Sequence, residues 1–188
     1  APQELDDKKR FAIDQFLMRG GSVVAAAGNY TVEPEPFTGS LSINAVSGGI
    51  RDMLSSYGID IAESLVMDPQ NEPFPLTVTR DMGGFQVRDI QRVNYPYFVD
   101  VRQDGMDRSN PVTANLPTST VYWASPIELD TAKNAARETG VLLHSSAAAW
   151  TSTDTAAPPA FSLYPEVGFP VRSSQAEPPL SVALQGSF

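Results

Sequence analysis

The sequence contains no cysteine and a single histidine, and these two shortages exclude much chemistry. Without cysteine there is no disulfide, thiolate metal site, iron–sulfur cluster or cysteine nucleophile. One histidine excludes zinc sites with several imidazole ligands, and we predict no metal site. No apolar run reaches the roughly 18–20 residues that a membrane-spanning helix needs. Binding and carboxylate chemistry are the classes left to weigh.

Positive charge is also scarce, because 13 Lys and Arg face 22 Asp and Glu, a net charge of -9. Such a field repels nucleic acid and anionic lipid, so neither is a predicted partner. No P-loop or Rossmann glycine spacing is present, so no cofactor is predicted and the chain is not itself an ATPase. With 188 residues and 41% hydrophobic content, the chain can bury a core, and we predict one domain over residues 1–188.

The first ten residues, APQELDDKKR, lack an initiator Met and the apolar stretch of a signal peptide. We therefore expect the chain to be a fragment of a longer, membrane-anchored protein. Contact with a membrane would then occur only through parts of that parent outside this chain.

The first third of the sequence predicts a helix, a strand and a second helix. Apolar residues at helical spacing predict an amphipathic helix over 5–19; the acidic Glu4 and Asp6 suit its start, and Gly20-Gly21 suits its end. The apolar run SVVAAAG at 22–28 is typical of a buried, parallel strand. A loop is expected over 29–47, and a short helix from residue 50 that ends at Gly58.

Hairpin patterns dominate the middle of the chain. The prolines of 69–75 predict irregular backbone, and 76–87 predicts a β-hairpin that turns at 81–84. A helix is predicted over 129–140, with Asp130 as its N-cap. Further strands are predicted at 59–61, 64–68, 90–101, 121–125, 141–145 and 180–184.

Helical segments thus alternate with buried strands near both ends of the chain. This order favours an α/β fold, with a mostly parallel sheet flanked by helices and an additional β-hairpin region inserted over 72–117.

Several blocks resemble the gliding-motility-type ABC transporter auxiliary proteins. They are FAIDQFLMRGGSVVAAAGN (11–29), GGIRDMLSSYGIDIAESLVMDPQN (48–71), PYFVDVRQDGMDRSNPVTANLP (96–117), VYWASPIEL (121–129) and LLHSSAAAW (142–150). The resemblance implies kinship with a domain of intraflagellar transport proteins and a glutamine-amidotransferase or flavodoxin-like α/β fold. In that fold a strand precedes the first helix; it is missing here, so we expect it to have been cut away or to come from another chain.

The resemblance also implies a function. It implies a non-enzymatic domain of an ABC-type transport system's auxiliary subunit, at the periplasmic or extracytoplasmic face of the inner membrane. The implied partners are the transporter's ATPase and permease subunits. The family supplies no catalytic residues to carry over, and the oligomeric state stays open.

Polar residues follow several predicted strands. Because the carboxyl ends of neighbouring parallel strands meet at one edge, these residues are expected to form one polar rim. The predicted ligand-binding or partner-binding residues are Asn29, Tyr30, Asp68, Asn71, Trp123, Ser125, His144 and Ser146.

Two other functions remain open. One is a small-ligand module, for carbohydrate among other ligands, that binds at the same rim; the other is a hydrolase that uses acidic residues such as Asp68. A serine–histidine triad is disfavoured, because His144 and Ser145 are adjacent on a predicted strand and point to opposite faces.

Overall fold

The computed structural model describes residues 5–34, 41–46, 48–171 and 177–188, without the side chains of 76–80. It contains the helices α1 (Asp7–Met18) and α2 (Gly49–Ser56) and a 3-10 turn at Gln103–Gly105. The described strands are β1 (Tyr30–Pro34), β2 (Leu41–Ala45), β3 (Ile59–Ile61), β4 (Leu65–Met67), β5 (Asn71–Met82), β6 (Phe85–Val101), β7 (Ser119–Tyr122), β8 (Ile127–Leu129), β9 (Glu138–His144), β10 (Trp150–Ser152) and β11 (Pro179–Gln185).

The predicted α/β fold with a parallel, flavodoxin-like sheet is wrong. Every described strand pairing is antiparallel, in four two-stranded sheets and one three-stranded sheet of order β5-β6-β7. Crossover helices between parallel strands, which that fold requires, are replaced by hairpins and long-range antiparallel pairs. Among the described residues, neither helix has the length and apolarity to cross a bilayer. The boundary of the inserted region at 72–117 stays a prediction.

The core is built around the inner half of β6. Tyr95, Tyr97 and Phe98 pack with Trp150 of β10 and with the 3%-exposed Phe169. The rings of Tyr95, Tyr97, Phe98 and Phe169 meet edge-on or tilted, with centroids 4.9 to 5.7 Å apart, the arrangement that aromatic quadrupoles favour. A second, aliphatic cluster contains Val66, Val99, Val101, Met106, Ala149 and Leu180.

The outer half of the β5–β6 hairpin projects away from this core. Every described side chain from residue 81 to residue 92 is exposed, although the ladder continues unbroken to the pair Met82 and Phe85. Gly83 and Gly84 form the turn with φ of 67° and 93°, as a two-residue hairpin with two left-handed positions requires. The turn predicted at 81–84 is therefore present. We call residues 75–92 the arm.

The strand predicted at 22–28 is wrong. This segment belongs to none of the described sheets, and Val24 is fully exposed. Apolarity alone does not make a strand, because a buried strand also needs a neighbour to satisfy its backbone groups.

Two segments predicted to be irregular contain strands. Within 29–47, β1 and β2 pair from Tyr30–Ala45 to Pro34–Leu41, while residues 35–40 and 47 lie outside the described residues. Within 69–75, β5 begins at Asn71 and accommodates Pro73 and Pro75. β5 is an edge strand, and prolines two residues apart direct their missing N–H groups to the same, unpaired side.

The helix predicted over 129–140 is a run of turns between β8 and β9. Asp130 does cap it, because its side chain accepts from the N–H groups of Ala132 and Lys133 at 2.9 and 3.0 Å. Asn134 then turns its amide inward to donate to the Gly58 and Asp130 carbonyls, both at 2.9 Å. This side-chain bonding competes with helical bonding, as is common for Asn.

The predicted ends of the helices and the bounds of two strands agree with the structure where capping residues and glycines specify them. Asp6 caps α1 by accepting from Lys9 N–H at 2.9 Å, and Gly20 follows the helix at a φ of 85°. The second helix ends before Gly58, whose φ is 79°. Predicted strands at 59–61 and 180–184 coincide with β3 and β11.

Replacing Gly58 with alanine should lower the free energy of unfolding by about 2 kcal/mol. A Cβ there would lie 2.4 Å from the Asn134 amide nitrogen and 2.9 Å from Lys133 Cβ, at a φ that side chains disfavour. Urea titration of the two proteins measures the loss. Gly140→Ala is the matched control, because no atom of the described residues lies within 4 Å of its added Cβ. Equal midpoints for the two variants would contradict the expectation.

Candidate functional site

The antiparallel fold removes the reason for expecting one polar rim. In an antiparallel sheet the carboxyl ends of neighbouring strands lie at opposite edges, so strand-end residues do not converge by topology. Any meeting of the predicted residues must arise from their individual contacts.

Three of the predicted residues do meet, around Asp68. Its side chain is fully buried at the end of β4. Oδ1 accepts from Gln70 N–H at 2.8 Å and from Ser146 Oγ at 2.7 Å, and Oδ2 accepts from Ser146 N–H at 2.7 Å. Asn71 joins them by donating to the Asp68 main-chain oxygen at 3.0 Å.

Asn71 links this group to the core strand β6. Its Oδ1 accepts from Tyr95 N–H at 2.8 Å, while Asp68 N–H donates to the Pro96 carbonyl at 3.0 Å. The ladder is interrupted between Asn71 and Pro73, so the side chain takes the place of a lost backbone partner. Asp68, Asn71 and Ser146 therefore form a polar knot around the buried Asp68 side chain, with Asn71 and Ser146 half-buried, and it joins β4, β5, β6 and the loop before β10.

Asn29 and Tyr30 lie in a different place. The Asn29 amide donates to the carbonyls of Ile61 and Ala62 at 2.9 and 2.5 Å, and its buried Oδ1 has no described partner. Tyr30 begins β1 and packs against the aromatic core. Both residues attach the β1–β2 hairpin to the body.

Trp123 and Ser125 follow β7 beside the core. Trp123 has a φ of 47°, a strained value for a bulky residue, and its ring lies 4.8 Å from Phe98. Burial raises the pKa of Tyr95 to about 12, and the nearby Trp123 indole offsets part of that rise. The indole N–H has no hydrogen-bond partner of ordinary geometry among the described residues. Ser125 is buried, and its hydroxyl also lacks a described partner.

His144 does not join the polar knot. Its Nδ1 lies 2.8 Å from the Ser145 carbonyl oxygen and 3.9 Å from the Glu177 carboxylate. The Asp68 carboxylate bonds Ser146 rather than the imidazole, so the three residue types needed for a triad do not form one.

This arrangement suits a structural role better than catalysis. A general acid, base or nucleophile needs room for a reacting atom within hydrogen-bond reach, whereas both Asp68 oxygens are occupied by the protein. Among the described residues, no group of three or more His, Asp or Glu side chains could hold a metal ion.

The described residues also form an open groove between α1 and α2, which the sequence did not predict. Its volume is about 330 Å³; Phe11 and Met53 are its apolar residues, and Asp7, Asp14 and Asp52 supply carboxylates. α1 buries none of its residues, and Phe11 remains 65% exposed. Arg10 pairs with Asp7 within α1, and the helix is linked to α2 by a 3.7 Å ion pair from Arg10 to Asp52 and by a hydrogen bond of 2.5 Å from the Tyr57 hydroxyl to Asp14.

The exposed apolar tip of the arm was missed as well. Met82 is 67% exposed and Phe85 is 77% exposed. The signal in the sequence was the alternation of Phe85 and Val87 with polar residues, which indicates a one-sided apolar strand face. The local sequence does not specify whether another element of the fold covers that face.

The sequence matches the model of a family described as "ABC-type uncharacterized transport system" over residues 1–188. A protein of Borreliella burgdorferi, itself described as an uncharacterized protein, is 24% identical over 127 residues. That alignment covers 68% of this chain and 22% of the relative, so the matched part spans about a fifth of the relative's length. No solved structure matches the chain.

Proposed function

The chain belongs to the family of ABC-type uncharacterized transport systems, and from this membership we propose that it is a non-catalytic auxiliary domain that binds other components of such a system. The observation that carries the proposal is the match along all 188 residues. The proposed components are the ATPase and permease subunits of the transporter.

The finer parts of the proposal concern location and type. We place the domain at the periplasmic or extracytoplasmic face of the inner membrane, in a membrane-anchored parent of the gliding-motility type. The proposed location and type are supported by the resemblance of sequence blocks such as 11–29 and 48–71 to those auxiliary proteins.

The geometry favours binding over chemistry. The buried Asp68 carboxylate is occupied by Gln70 and Ser146, which argues against the acid-residue hydrolase. The described groove is open rather than enclosed, unlike most small-ligand sites, which bury the greater part of their ligand. An exposed arm and an uncovered helix face are surfaces of the kind that protein partners cover.

Co-purification of the tagged parent protein from its own host tests the proposal. Membranes are extracted with mild detergent, and recovery of an ATP-binding cassette subunit and a permease is the expected result. A parent lacking this domain is the control and should lose or weaken that recovery. A parent that purifies without either subunit, or equal recovery with and without the domain, would overturn the proposal.

A further inference from the structure

The two halves of β6 differ in what lies along their second edge. The inner half is paired on both sides, with β5 on one side and with β7 from Phe98 to Val101 on the other. In the arm, residues 86–92 of β6 have β5 on one side and none of the described strands on the other. We call this side of residues 86–92 the open edge. Unpaired N–H and C=O groups on such an edge are a template for another strand.

The hairpin turn determines which backbone groups face the open edge. The residues that flank a two-residue turn, here Met82 and Phe85, exchange hydrogen bonds, so every second residue of β6 from Phe85 onward bonds to β5. The residues between them, at 86, 88, 90 and 92, direct their N–H and C=O groups outward. The pairing of Pro75 with Arg92 agrees with this phase, because proline has no N–H to exchange with its partner.

Proline protects the corresponding edge of β5 but not the open edge of β6. Pro73 and Pro75 lie at outward-facing positions of β5 and remove two donors that a further strand would need. Residues 86–92 contain no proline. One outward amide, that of Ile90, donates to the Asp89 carboxylate at 2.9 Å, and this local bond is one that a strand carbonyl can replace.

The side chains beside the open edge specify a different chemistry on each face of an added strand. On one face, Arg88 and Arg92 are exposed, and neither forms an ion pair with a described residue. On the other face, Phe85 is 77% exposed and Val87 43% exposed, and Asp89 ends this apolar stretch. Because an added strand also alternates its side chains, acidic residues can lie opposite the arginines while apolar residues lie opposite Phe85 and Val87.

A second copy of this chain does not fit that pattern. The two-fold antiparallel registers that overlap most are centred on residue 88, 89 or 90. They place Arg88 opposite Arg88, Asp89 opposite Asp89, or Arg88 opposite Arg92, respectively. Like charges directly opposite each other destabilise a strand pair, whereas opposite charges stabilise it. The arginines therefore disfavour pairing of the edge with itself and favour an acidic partner.

We propose that the open edge is a docking site for an extended segment of another protein, which adds to the arm as a third, antiparallel strand. This segment carries acidic residues opposite Arg88 and Arg92 and apolar residues opposite Phe85 and Val87. Main-chain hydrogen bonds supply the affinity of such a contact, and the alternating side chains supply its specificity. The inference goes beyond the proposed transport function, because the segment need not belong to a transporter subunit. Peptide binding and co-purification can therefore each fail alone.

Titration calorimetry of the full chain with a designed peptide tests the proposal. The probe is an eight-residue peptide, blocked at both ends, with glutamate opposite Arg92 and Arg88, valine opposite Gln91, Val87 and Phe85, and threonine at the other positions. We expect saturable binding with a dissociation constant below about 1 mM, the range of a small interface. The matched control has the same composition, but its glutamates lie opposite Gln91 and Val87. It should bind about 10-fold more weakly, because its charges lie on the wrong face.

Charge reversal on the protein separates a local contact from general attraction. Arg88→Glu should weaken binding of the glutamate probe by about 10-fold and should strengthen binding of a probe with lysine at the position opposite residue 88. Lys8→Glu is the control, because it changes the net charge equally at an exposed position of α1. It should leave binding of both probes unchanged. Circular dichroism checks that both variants are folded, as the exposure of the two positions leads us to expect.

Backbone measurements test whether the peptide binds as a strand. With the probe bound, the amides of residues 86, 88, 90 and 92 should exchange their hydrogens more slowly, whereas those of 87, 89 and 91 already bond to β5 and should change little. N-methylation of the two probe residues opposite Arg88 and Arg92 removes donors from the new ladder and should weaken binding by about 10-fold or more. N-methylation opposite Gln91 and Val87 modifies the outer side of the probe and should be tolerated.

Five results would overturn the proposal. They are the absence of saturable binding by the probe, equal binding of the probe and the control with shifted glutamates, and equal effects of Arg88→Glu and Lys8→Glu. The fourth is slowed exchange at the outward residues 77, 79 and 81 of β5 instead of those of β6. The fifth is exchange at the open edge that slows with protein concentration alone, which would assign the edge to a second copy of the chain.

Discussion

Replacing Asp68 with alanine should lower the free energy of unfolding by about 3–5 kcal/mol, which is enough to unfold a marginally stable domain. The side chain is fully buried and accepts three hydrogen bonds, two from Ser146 and one from Gln70. Alanine would remove the acceptor of all three donors, which belong to the half-buried Gln70 and Ser146. The cost of each orphaned donor is about 1–3 kcal/mol, and partial relaxation of the loop limits the sum.

Asp68→Asn keeps the shape of the side chain but reduces its capacity to accept hydrogen bonds. The amide keeps one oxygen but places an NH₂ group against a donor that the carboxylate now satisfies. We expect an intermediate loss of about 2–3 kcal/mol. Urea titration of both variants measures the losses, with Glu166→Gln as an exposed control for the removal of one carboxylate charge. Variants that unfold at the wild-type midpoint would show that the knot does not stabilise the fold.

The same experiment decides how a loss of function at Asp68 should be interpreted. The residue joins segments 78 positions apart in the chain. A functional defect that follows the loss of stability would report a damaged scaffold. A defect without a loss of stability would instead point to a direct role in binding or hydrolysis.

Local signals carried the successful part of the sequence prediction. A cap such as Asp6, a left-handed glycine such as Gly58 and the turn at Gly83-Gly84 act through their nearest neighbours. The chain itself encodes these conformations, so the ends of α1 and α2 and the hairpin turn were predictable.

Strand pairing was the part that could not be predicted, because it depends on distant residues. The run at 22–28 has the composition of a buried strand but lacks a described neighbour. β4 pairs with β10, more than 80 residues away, and no local pattern specifies that choice. The parallel fold followed from assuming that apolar runs separated by helices are neighbours.

The candidate residues show the same division. Asp68, Asn71 and Ser146 were chosen because they follow strands, and two side-chain contacts bring them together for a different reason. Asn29 and His144, chosen by the same rule, bond elsewhere. Polar residues at strand ends therefore mark specific hydrogen bonds at Asp68 and Asn29 but not at Ser125, and in an antiparallel fold their position at a strand end does not by itself predict a shared site.

Alkaline solution should unfold this protein well before it affects an ordinary acidic domain, because three tyrosines are held in their neutral form. Burial raises the pKa of Tyr95 to about 12 and also raises that of Tyr97. Burial, followed by the hydrogen bond to Asp14, raises the pKa of Tyr57 to about 12. The ordinary value for each phenol is 10.0.

The sign of the effect follows from which state binds more protons. Below pH 10 the phenols are neutral in both states, and their contribution to stability is complete. Between about pH 10 and 12 the unfolded chain loses these protons first, so rising pH favours unfolding. A shift of two pKa units corresponds to about 2–3 kcal/mol for Tyr95 by the end of that range.

Urea midpoints measured from pH 8 upward at fixed ionic strength give the test, with tyrosinate absorbance recorded in parallel. Tyr95→Phe should flatten the alkaline decline, because the phenylalanine ring keeps the packing and has no proton to lose. It should also cost about 1 kcal/mol of unfolding free energy at neutral pH, since the hydroxyl donates to the buried Ala157 carbonyl at 2.8 Å.

Tyr164→Phe, at an exposed position, is the matched control and should leave both the unfolding free energy at neutral pH and the slope unchanged. The growing negative charge of the chain acts on all variants alike, so the difference between their slopes isolates the buried phenol. Equal slopes for the two variants would mean that the Tyr95 hydroxyl reaches solvent, and that the aromatic core is more open than its packing indicates.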